Sequence, residues 1–268
     1  MNTKTKSLQV LVATMYQLDS SIYKRMNLSS DAIIINQFDS MDYKKFNYNG
    51  NEVSLYTFNE RGLSVSRNNA LLRATADIIC ISDDDMVYTD TYKSDIISEF
   101  DKHPEADVIV FFVKKINTER KAKEIDKFEK VNRFEYRYYS SVNLAIRREK
   151  LIYNNIWFNT AFGSGSIFKC GEDTIFIKTM MDRGLKIYKS PICIGEVDMS
   201  QSTWFKGYDE NFFKDKGAVI AAVYPKFYKL VILAQSIRNS KNKLGSFKHF
   251  PRLYRWYSKG AKDYMLKR

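Results

Sequence analysis

The 268-residue chain is 44% hydrophobic and 28% charged, enough apolar material for the core of one large or two small domains, which excludes a disordered chain. Its three cysteines, Cys80, Cys170 and Cys193, are irregularly spaced and form no CxxC pair. That excludes a disulfide framework or a cysteine-based structural zinc site and fits a reducing, cytoplasmic setting.

The net charge of +12 is uneven: residues 222–268 carry twelve Lys and Arg against Asp263 alone, whereas residues 1–221 hold 31 basic and 30 acidic residues. The expected organisation is a charge-balanced domain over 1–221 and a basic, aromatic, helical tail over 222–268.

The start, MNTKTKSLQVLVATMY, is basic, but its apolar run is short and broken by Gln9, so it reads as a first strand over 8–14 rather than a leader. Strand-length apolar runs follow at 31–37, 52–58, 76–82 and 106–113, and their near-continuous hydrophobicity predicts burial on both faces. Between them, Ser66 is a candidate N-cap for a helix over 66–76 with an apolar Leu71/Leu72 side. Tyr92, Ile96, Ile97 and Phe100 share one face of a helix over 89–101.

The stretch 114–137, with nine basic and five acidic residues and little apolar periodicity, reads as a solvated helix or loop. A strand over 141–149, a glycine-bearing loop over 157–173, a helix over 174–184 stopped by Gly184 and a strand over 185–197 follow. This alternation predicts an α/β domain with a mostly parallel central sheet flanked by helices, binding ligands outside the carboxyl ends of its strands. No uncharged apolar run approaches the roughly 18 residues of a membrane-spanning helix.

Asp83, Asp84 and Asp85 stand at one such strand end, directly after Ile78, Ile79, Cys80, Ile81 and Ser82. Adjacent like charges raise the cost of ionising one another, so the run is either an exposed acidic turn or the seat of a cation. In an extended chain Asp83 and Asp85 project to one side and Asp84 to the other. That pair could share Mg2+ or Mn2+, hard cations that take a few carboxylates plus substrate phosphates.

Upstream, Gly62, Ser64, Ser66, Arg67 and Asn68 offer close-approach backbone, caps and donors near a helix start, either as a plain helix N-terminus or as an anion site. Glu172 and Asp173 open the 174–184 helical pattern, where the helix dipole stabilises acids. A carboxylate held there is also a candidate general base for an acceptor hydroxyl.

Taken in order, LVATMY, IIINQ, GLSVSRNNAL, DIICISDDDMVY, NLAIRRE, FNTAFGSG and GEDTIFI resemble the family 2 glycosyltransferases, in particular bacterial enzymes of surface-polysaccharide assembly, over roughly residues 8–205. The resemblance implies a GT-A fold and a metal-dependent, inverting hexosyl transfer from a nucleotide-diphosphate sugar, with a UDP-sugar favoured, to a saccharide or lipid-linked acceptor. It implies that Asp83-Asp84-Asp85 is a DXD motif, with Asp83 toward the ribose or donor sugar and Asp85, with Asp83, toward Mn2+ or Mg2+.

By the same resemblance Thr14, Met15, Tyr16, Asn36 and Gln37 form the base pocket. Gly62, Ser64, Arg67 and Asn68 line the donor, and Glu172-Asp173 is the ED motif with Asp173 as base. Many relatives end the second strand with paired aspartates, where this chain has Asn36, Gln37 and then Asp39. Many also bring a late histidine to the metal, but 194–205 has none; Asp198 is the candidate in its place, and His103 and His249 read as surface residues. Trp204 and Phe205 are candidates for stacking on an acceptor sugar.

The tail mixes Lys and Arg with Phe, Tyr, Trp and Leu, a composition suited to an anionic membrane face and less to nucleic acid. Alternatively it packs on the domain through Val231, Ile232, Leu233 and Ile237. Two rival readings start from the same residues. One is a haloacid-dehalogenase-like phosphatase using Asp83 as nucleophile, and the other a non-catalytic basic adaptor.

Overall fold

The computed structural model describes residues 6–119, 122–200 and 207–267; Trp204 and Phe205 lie outside the described residues. The continuous apolar runs form the central strands of one ten-stranded sheet. In chain order the elements are β1 (Leu8–Met15), α1 (Ile22–Arg25), β2 (Asp31–Gln37), β3 (Asp42–Tyr48), β4 (Asn51–Phe58), α2 (Leu63–Arg73), β5 (Ile78–Asp83), β6 (Met86–Tyr88) and α3 (Tyr92–Lys102). Then come β7 (Val108–Ile116), β8 (Glu129–Lys130), β9 (Leu144–Arg147), α4 (Arg148–Tyr153), α5 (Glu172–Asp182), β10 (Ile187–Asp198), α6 (Glu210–Val223), α7 (Tyr228–Asn242) and α8 (Phe250–Met265).

The strand order is β3-β4-β2-β1-β5-β9-β7-β10-β6, with β8 also on β10. Only β4-β2-β1-β5 and β7-β10 pair in parallel. The remaining pairs are antiparallel, because β9 inserts between β5 and β7 and β3 returns on β4. The sheet is therefore mixed, which corrects the mostly parallel expectation.

β3 escaped the hydrophobic pattern because it is an exposed edge with Lys44 and Lys45 on it, a composition that discourages edge pairing. Its turn was visible: Asn49 and Gly50 both adopt positive φ, 50° and 82°, between paired Tyr48 and Asn51. An Asn-Gly pair supplies those two conformations with little strain.

Alternate side chains of each central strand enter two cores. Val10, Val12, Ile34 and Cys80 pack with Ile22 and Tyr23 of α1 and with Tyr92, Ile96 and Phe100 of α3. Leu11, Ile33, Ile35, Ile79 and Ile81 pack with Ala70 and Leu71 of α2 and with Phe176, Ile177 and Met180 of α5. Two-sided burial explains why these runs lack the polar alternation of a half-exposed sheet.

A third core joins α6, α7 and α8 to Phe162, Phe168 and Ile175. Gly217 and Gly260 permit this packing, since a Cβ on either would fall about 2 Å from a carbonyl oxygen of the facing helix, 2.0 Å from Tyr257 O and 1.8 Å from Lys214 O. The charge boundary at 222 thus falls inside a helix. On α7 the buried positions are Ile232, Ser236 and Ser240, while Leu233 and Ile237 face outward. Ile232, Ser236 and Ser240 recur every four residues on the buried face, so the expected Leu233/Ile237 side is turned away from the core. Among the described residues no helix is long and apolar enough to cross a membrane.

Candidate active site

The carboxyl ends of β1, β2 and β5 converge with the N-termini of α2 and α5. Helix α2 starts at Leu63, three residues before the expected Ser66 cap, with Gly62 as its N-cap at φ 122°. The start is fixed from outside the helix: Gly62 N donates to Gln37 Oε1 at 2.7 Å and Leu63 N to Ser164 O at 2.8 Å. An early amide with a nonlocal acceptor does not need a local cap.

Further along α2, the Ser64 hydroxyl donates to Phe162 O at 2.6 Å, and Asn68 exchanges two bonds of 2.9 Å with the backbone of Phe158. These side chains tie the 158–171 loop to α2 and so fix where α5 begins. The structure places Ser64 and Asn68 inside that joint, with Ser64 fully buried.

Arg67 is the hub. Its side chain is 2% exposed. Nη2 donates to both oxygens of Asp83 at 2.8 and 3.1 Å, and Nη1 donates to Asp173 Oδ1 at 2.9 Å with Glu172 Oε1 at 3.8 Å. Burial alone would lower its pKa, but Asp83, Asp173 and Glu172 outweigh that and raise it. One guanidinium thus joins the aspartate run of β5 to the acidic pair that opens α5, through the planar fork that suits carboxylates.

The three aspartates have different fates. Asp84 Oδ2 accepts from Thr14 Oγ1 at 2.5 Å on the β1 side, while Asp83 and Asp85 line a cavity; the strand ends at Asp83 and Asp84-Asp85 form a turn, so it is the turn and not the expected extended chain that separates them. Asp85 lines that cavity and is solvent-exposed, with its carboxylate beside other acids. Desolvation by the surrounding protein first, then the charges of Asp83, Asp84 and Asp198, push its pKa up to about 6. Among the described residues no cationic side chain pairs with Asp85. Asp198, at the end of β10, accepts from Asn117 Nδ2 at 3.0 Å and from the Ser200 amide at 2.8 Å.

Glu172 and Asp173 form the first turn of α5 after Gly171. Burial and the neighbouring Asp173 charge push Glu172 up to about 7, with Arg67 opposing. Both acids line the cavity with Asp83 and Asp85, and its volume is about 550 Å3.

The β1–β2 edge forms a separate shelf. Asn36 is buried, accepting from Gln17 N at 3.0 Å and donating to Gln17 O at 2.9 Å. Tyr16, at φ 57°, presents a half-exposed ring that meets Phe38 edge-on at 5.7 Å, with Met15 exposed beside it. Arg61 was not singled out from the sequence, yet it donates to Tyr16 OH at 3.0 Å, pairs with Asp39, and lies 5.2 Å from the Tyr16 ring centroid. Its position beside the base-pocket candidates follows from the β2–β4 pairing, which spacing along the chain does not reveal.

His103 stacks on Phe128 and His249 contacts Arg252, both away from this site, and all three cysteines are free. The sequence also missed residues within the 114–137 charge run: Lys115, Lys123, Ile125 and Arg137 line the cavity, followed by Tyr138 and Tyr139. Ile125, Val131 and Tyr136 anchor that segment in the second core.

Solved structures share this architecture. Residues 1–349 of S. aureus TarS align with a TM-score of 0.62 at 14% identity, covering 98% of this chain and 92% of that one. The same protein in complex with UDP-GlcNAc aligns with a TM-score of 0.62 at 16% identity, over 96% and 89% of the two chains. The chain spans 54% of the longer TarS structure. A mannosyltransferase, PcManGT from Pyrobaculum calidifontis in complex with GDP-Man and Mn2+, aligns with a TM-score of 0.53 at 10% identity over 99% and 89%. These matches show the fold alone, an α/β fold with a mixed central sheet flanked by helices, consistent with GT-A-like topology.

Residues 41–169 match the sequence model described as glycosyl transferase family 2, a span that holds Arg67, the aspartate run and the loop leading to α5. In that span, just under half of the chain, it is similar to the family 2 glycosyltransferases, and the whole chain shares the fold of TarS. No curated protein matches it in sequence.

Proposed function

We propose that this transferase is inverting and metal-dependent, moving a hexosyl group from a nucleotide-diphosphate donor, with a UDP-sugar favoured, to a saccharide hydroxyl in surface-polysaccharide synthesis. The observation that carries the reading is the Arg67 bridge, which puts the aspartates of β5 and the acids of α5 on one cavity. Tyr16, Asn36, Gln37 and Arg61 form the shelf for the base, beside Thr14 and Asp84.

Whether the residues suit a divalent cation turns on the donor set. No group of three or more ligating side chains converges among the described residues. Asp85 is an oxygen donor whose charged neighbours are Asp83, Asp84 and Asp198. One or two carboxylates completed by substrate phosphates is a normal arrangement for Mg2+ or Mn2+, so the residues fit. Asp85 would hold the ion, with Asp83 adjacent and Asp198 near, and when bound the ion neutralises charge on the departing diphosphate.

The chain's own groups do the rest. Arg67 fixes Asp173 at the cavity wall, and Asp173 accepts the proton of the acceptor hydroxyl as that oxygen attacks the anomeric carbon from the face opposite the nucleotide. Glu172, beside it, adds a second carboxylate. The phosphatase alternative needs Asp83 as a free nucleophile, and Asp83 is instead held at two points by Arg67. A non-catalytic adaptor gives the shared acidic cavity no role.

The deciding experiment is calorimetric titration of UDP, GDP and dTDP, with and without Mn2+, into wild type and Asp85→Asn. Manganese-dependent binding of one nucleotide, weakened at least about tenfold by the substitution, is expected. Folded protein that binds none of the three overturns the reading.

An anionic membrane surface at the cytoplasmic leaflet is the second proposed partner, favoured by α7. Its outward Leu230, Leu233 and Ile237 form one exposed apolar stripe flanked by Lys226, Lys229 and Lys241. Each lysine near anionic headgroups contributes about 1 kcal/mol. Sedimentation with phosphatidylglycerol vesicles but not phosphatidylcholine vesicles, lost in Leu233→Glu/Ile237→Glu, is expected; equal partitioning into both removes this reading.

A further inference from the structure

The backbone that carries Glu172 and Asp173 is gripped from outside the sheet. Gly171, the N-cap of α5, lies at φ 100° and has no side chain with which to cap the helix. The loop before it is secured in two portions. Residues 158–165 are tied to α2, through Asn68 to Phe158, Ser64 to Phe162 O and Leu63 N to Ser164 O. Residues 169–171, the last before the acidic pair, are held by α6 instead. Lys169 N donates to Asp215 Oδ2 at 3.0 Å. Two residues on, a Cβ at Gly171 would fall 2.2 Å from Val219 Cγ2, so Val219 packs directly on that glycine.

Asp215 and Val219 are four residues apart and therefore neighbours on one face of α6. A single turn of that helix holds the chain at a polar point, 169, and an apolar one, 171. Burial raises the Asp215 pKa, and the Lys169 amide with the charges of Lys169, Lys214 and Lys216 opposes that rise, favouring the carboxylate that accepts the bond. Behind the same turn sits α8, in backbone contact with α6 at Gly217 and Gly260. Phe162 and Phe168 of the loop share one core with Leu253, Tyr257 and Tyr264 of α8.

Arg67 fixes the carboxylate end of Asp173 at 2.9 Å, while its backbone end starts from the gripped Gly171. Both ends matter, because a displacement of about 1 Å at a reacting group can cost about a hundredfold in rate. Resting on the transferase reading above, we infer that α6 is a positioning element of the reaction: Asp215 and Val219 set the Lys169–Gly171 backbone so that Asp173 meets the acceptor hydroxyl. Neither residue lines the cavity, so each acts through Asp173. The α8 segment, which composition set apart as a tail, serves the reaction by backing α6.

The test follows UDP release from UDP-glucose and UDP-N-acetylglucosamine by the full chain, with water as acceptor, beside calorimetric UDP affinity. Asp215→Ala should lower kcat about ten- to a hundredfold with UDP affinity unchanged, which also reports that the variant is folded. Asp215→Asn keeps an oxygen for the Lys169 amide and should recover most of that loss. Val219→Ala strands no polar group and should cost about threefold. The decisive reading is the cycle with Asp173→Asn: in that background Asp215→Ala should change kcat by less than about twofold, since a residue acting through Asp173 has nothing left to position. A merely structural role makes the two losses multiply.

Hydrogen exchange gives a readout independent of the donor. Peptides spanning 169–175 should exchange at least about tenfold faster in Asp215→Ala, with the α2 amides unchanged. Wild-type kcat in Asp215→Ala, multiplying losses in the cycle, or unchanged exchange at 169–175 with any donor each overturns the inference. So does a matching fall in UDP affinity, which would assign α6 to the donor. If wild type binds no nucleotide, the transferase reading itself has failed; nucleotide binding with any of the preceding outcomes sinks the positioning role alone.

Discussion

On the β1–β5 side of the site most polar side chains are bonded to one another, whereas Lys115 on β7 and Arg137 in the β7–β9 connection form no ion pair among the described residues. Thr14 holds Asp84, Gln17 holds Asn36, Gln37 holds Gly62, and Arg67 holds Asp83 and Asp173. Elsewhere on the cavity, Lys115 and Arg137 form no ion pair among the described residues, while Lys169 donates to Ser166 O and Lys123 lies over the Tyr138 ring. The difference teaches where the site is ordered in advance. On the proposed reading, the half that would meet the nucleotide and the anomeric carbon–oxygen bond to its diphosphate is pre-organised by internal hydrogen bonds.

The sharpest way to break the comparison is to remove the bond that organises the closed half. Arg67→Ala leaves Asp83, Glu172 and Asp173 facing one another without a counter-charge. Stripping one partner from a buried ionic cluster costs about 3–5 kcal/mol, so urea unfolding should show a loss of that size. Transfer should fall to background even where the protein remains folded. Arg67→Lys should recover only part of either, because an ammonium cannot reach both carboxylates with a planar fork. A variant as stable and active as wild type would show that the cluster is not the organising element.

A smaller and cleaner effect is expected at Asp173, which has no share in the nucleotide shelf. Asp173→Asn should lower kcat about a hundred- to ten-thousand-fold, the usual worth of a positioned general base, while calorimetry still finds manganese-dependent UDP binding. Retained turnover would move the proton transfer to Glu172 or to water. Equal loss of binding and turnover would mean that the two halves of the site are not separable.

The sequence disclosed the closed half far better than the open one, for physical reasons. β1, β2, β4, β5, β7 and β10 were legible because two-sided burial makes a strand continuously apolar. The aspartate run stood out at the end of such a strand, and Glu172 and Asp173 at the head of a helix. Arg67 was legible as a donor near a helix start, but its anions turned out to be the protein's own carboxylates, 16 and 106 residues away.

What failed to show was whatever depends on pairing rather than pattern. β9 was expected as a strand within 141–149, but its antiparallel insertion between β5 and β7 leaves no trace in the pattern. β3 is an exposed edge, marked only by Asn49-Gly50. The α2 start depends on Ser164 O, about a hundred residues along the chain. The 114–137 run looked merely solvated because it has almost no regular structure, although Ile125 and Tyr136 anchor it and it contributes Lys123 and Arg137 to the cavity.

The finest test of the contrast concerns the cost of keeping the acidic pair closed. Glu172 has its pKa pushed up to about 7 by burial and by Asp173, against an ordinary value of 4.5. Below about pH 4.5 the folded and unfolded chains both hold its proton, so it costs nothing. Between 4.5 and 7 the folded chain keeps a proton that the unfolded chain has lost, and stability falls as pH rises. Above 7 the carboxylate is charged in its buried place and the full penalty is present.

Glu172→Gln removes that titration. Its urea midpoint should match wild type at pH 4 and exceed it at pH 8, by about 1–3 kcal/mol when converted with the denaturant slope. The excess should grow through the pH 4.5–7 window and stay level above it. A variant less stable than wild type at pH 8 would mean that Glu172 is held charged by Arg67 and contributes to the cluster, so that the closed half rests on three carboxylates rather than two.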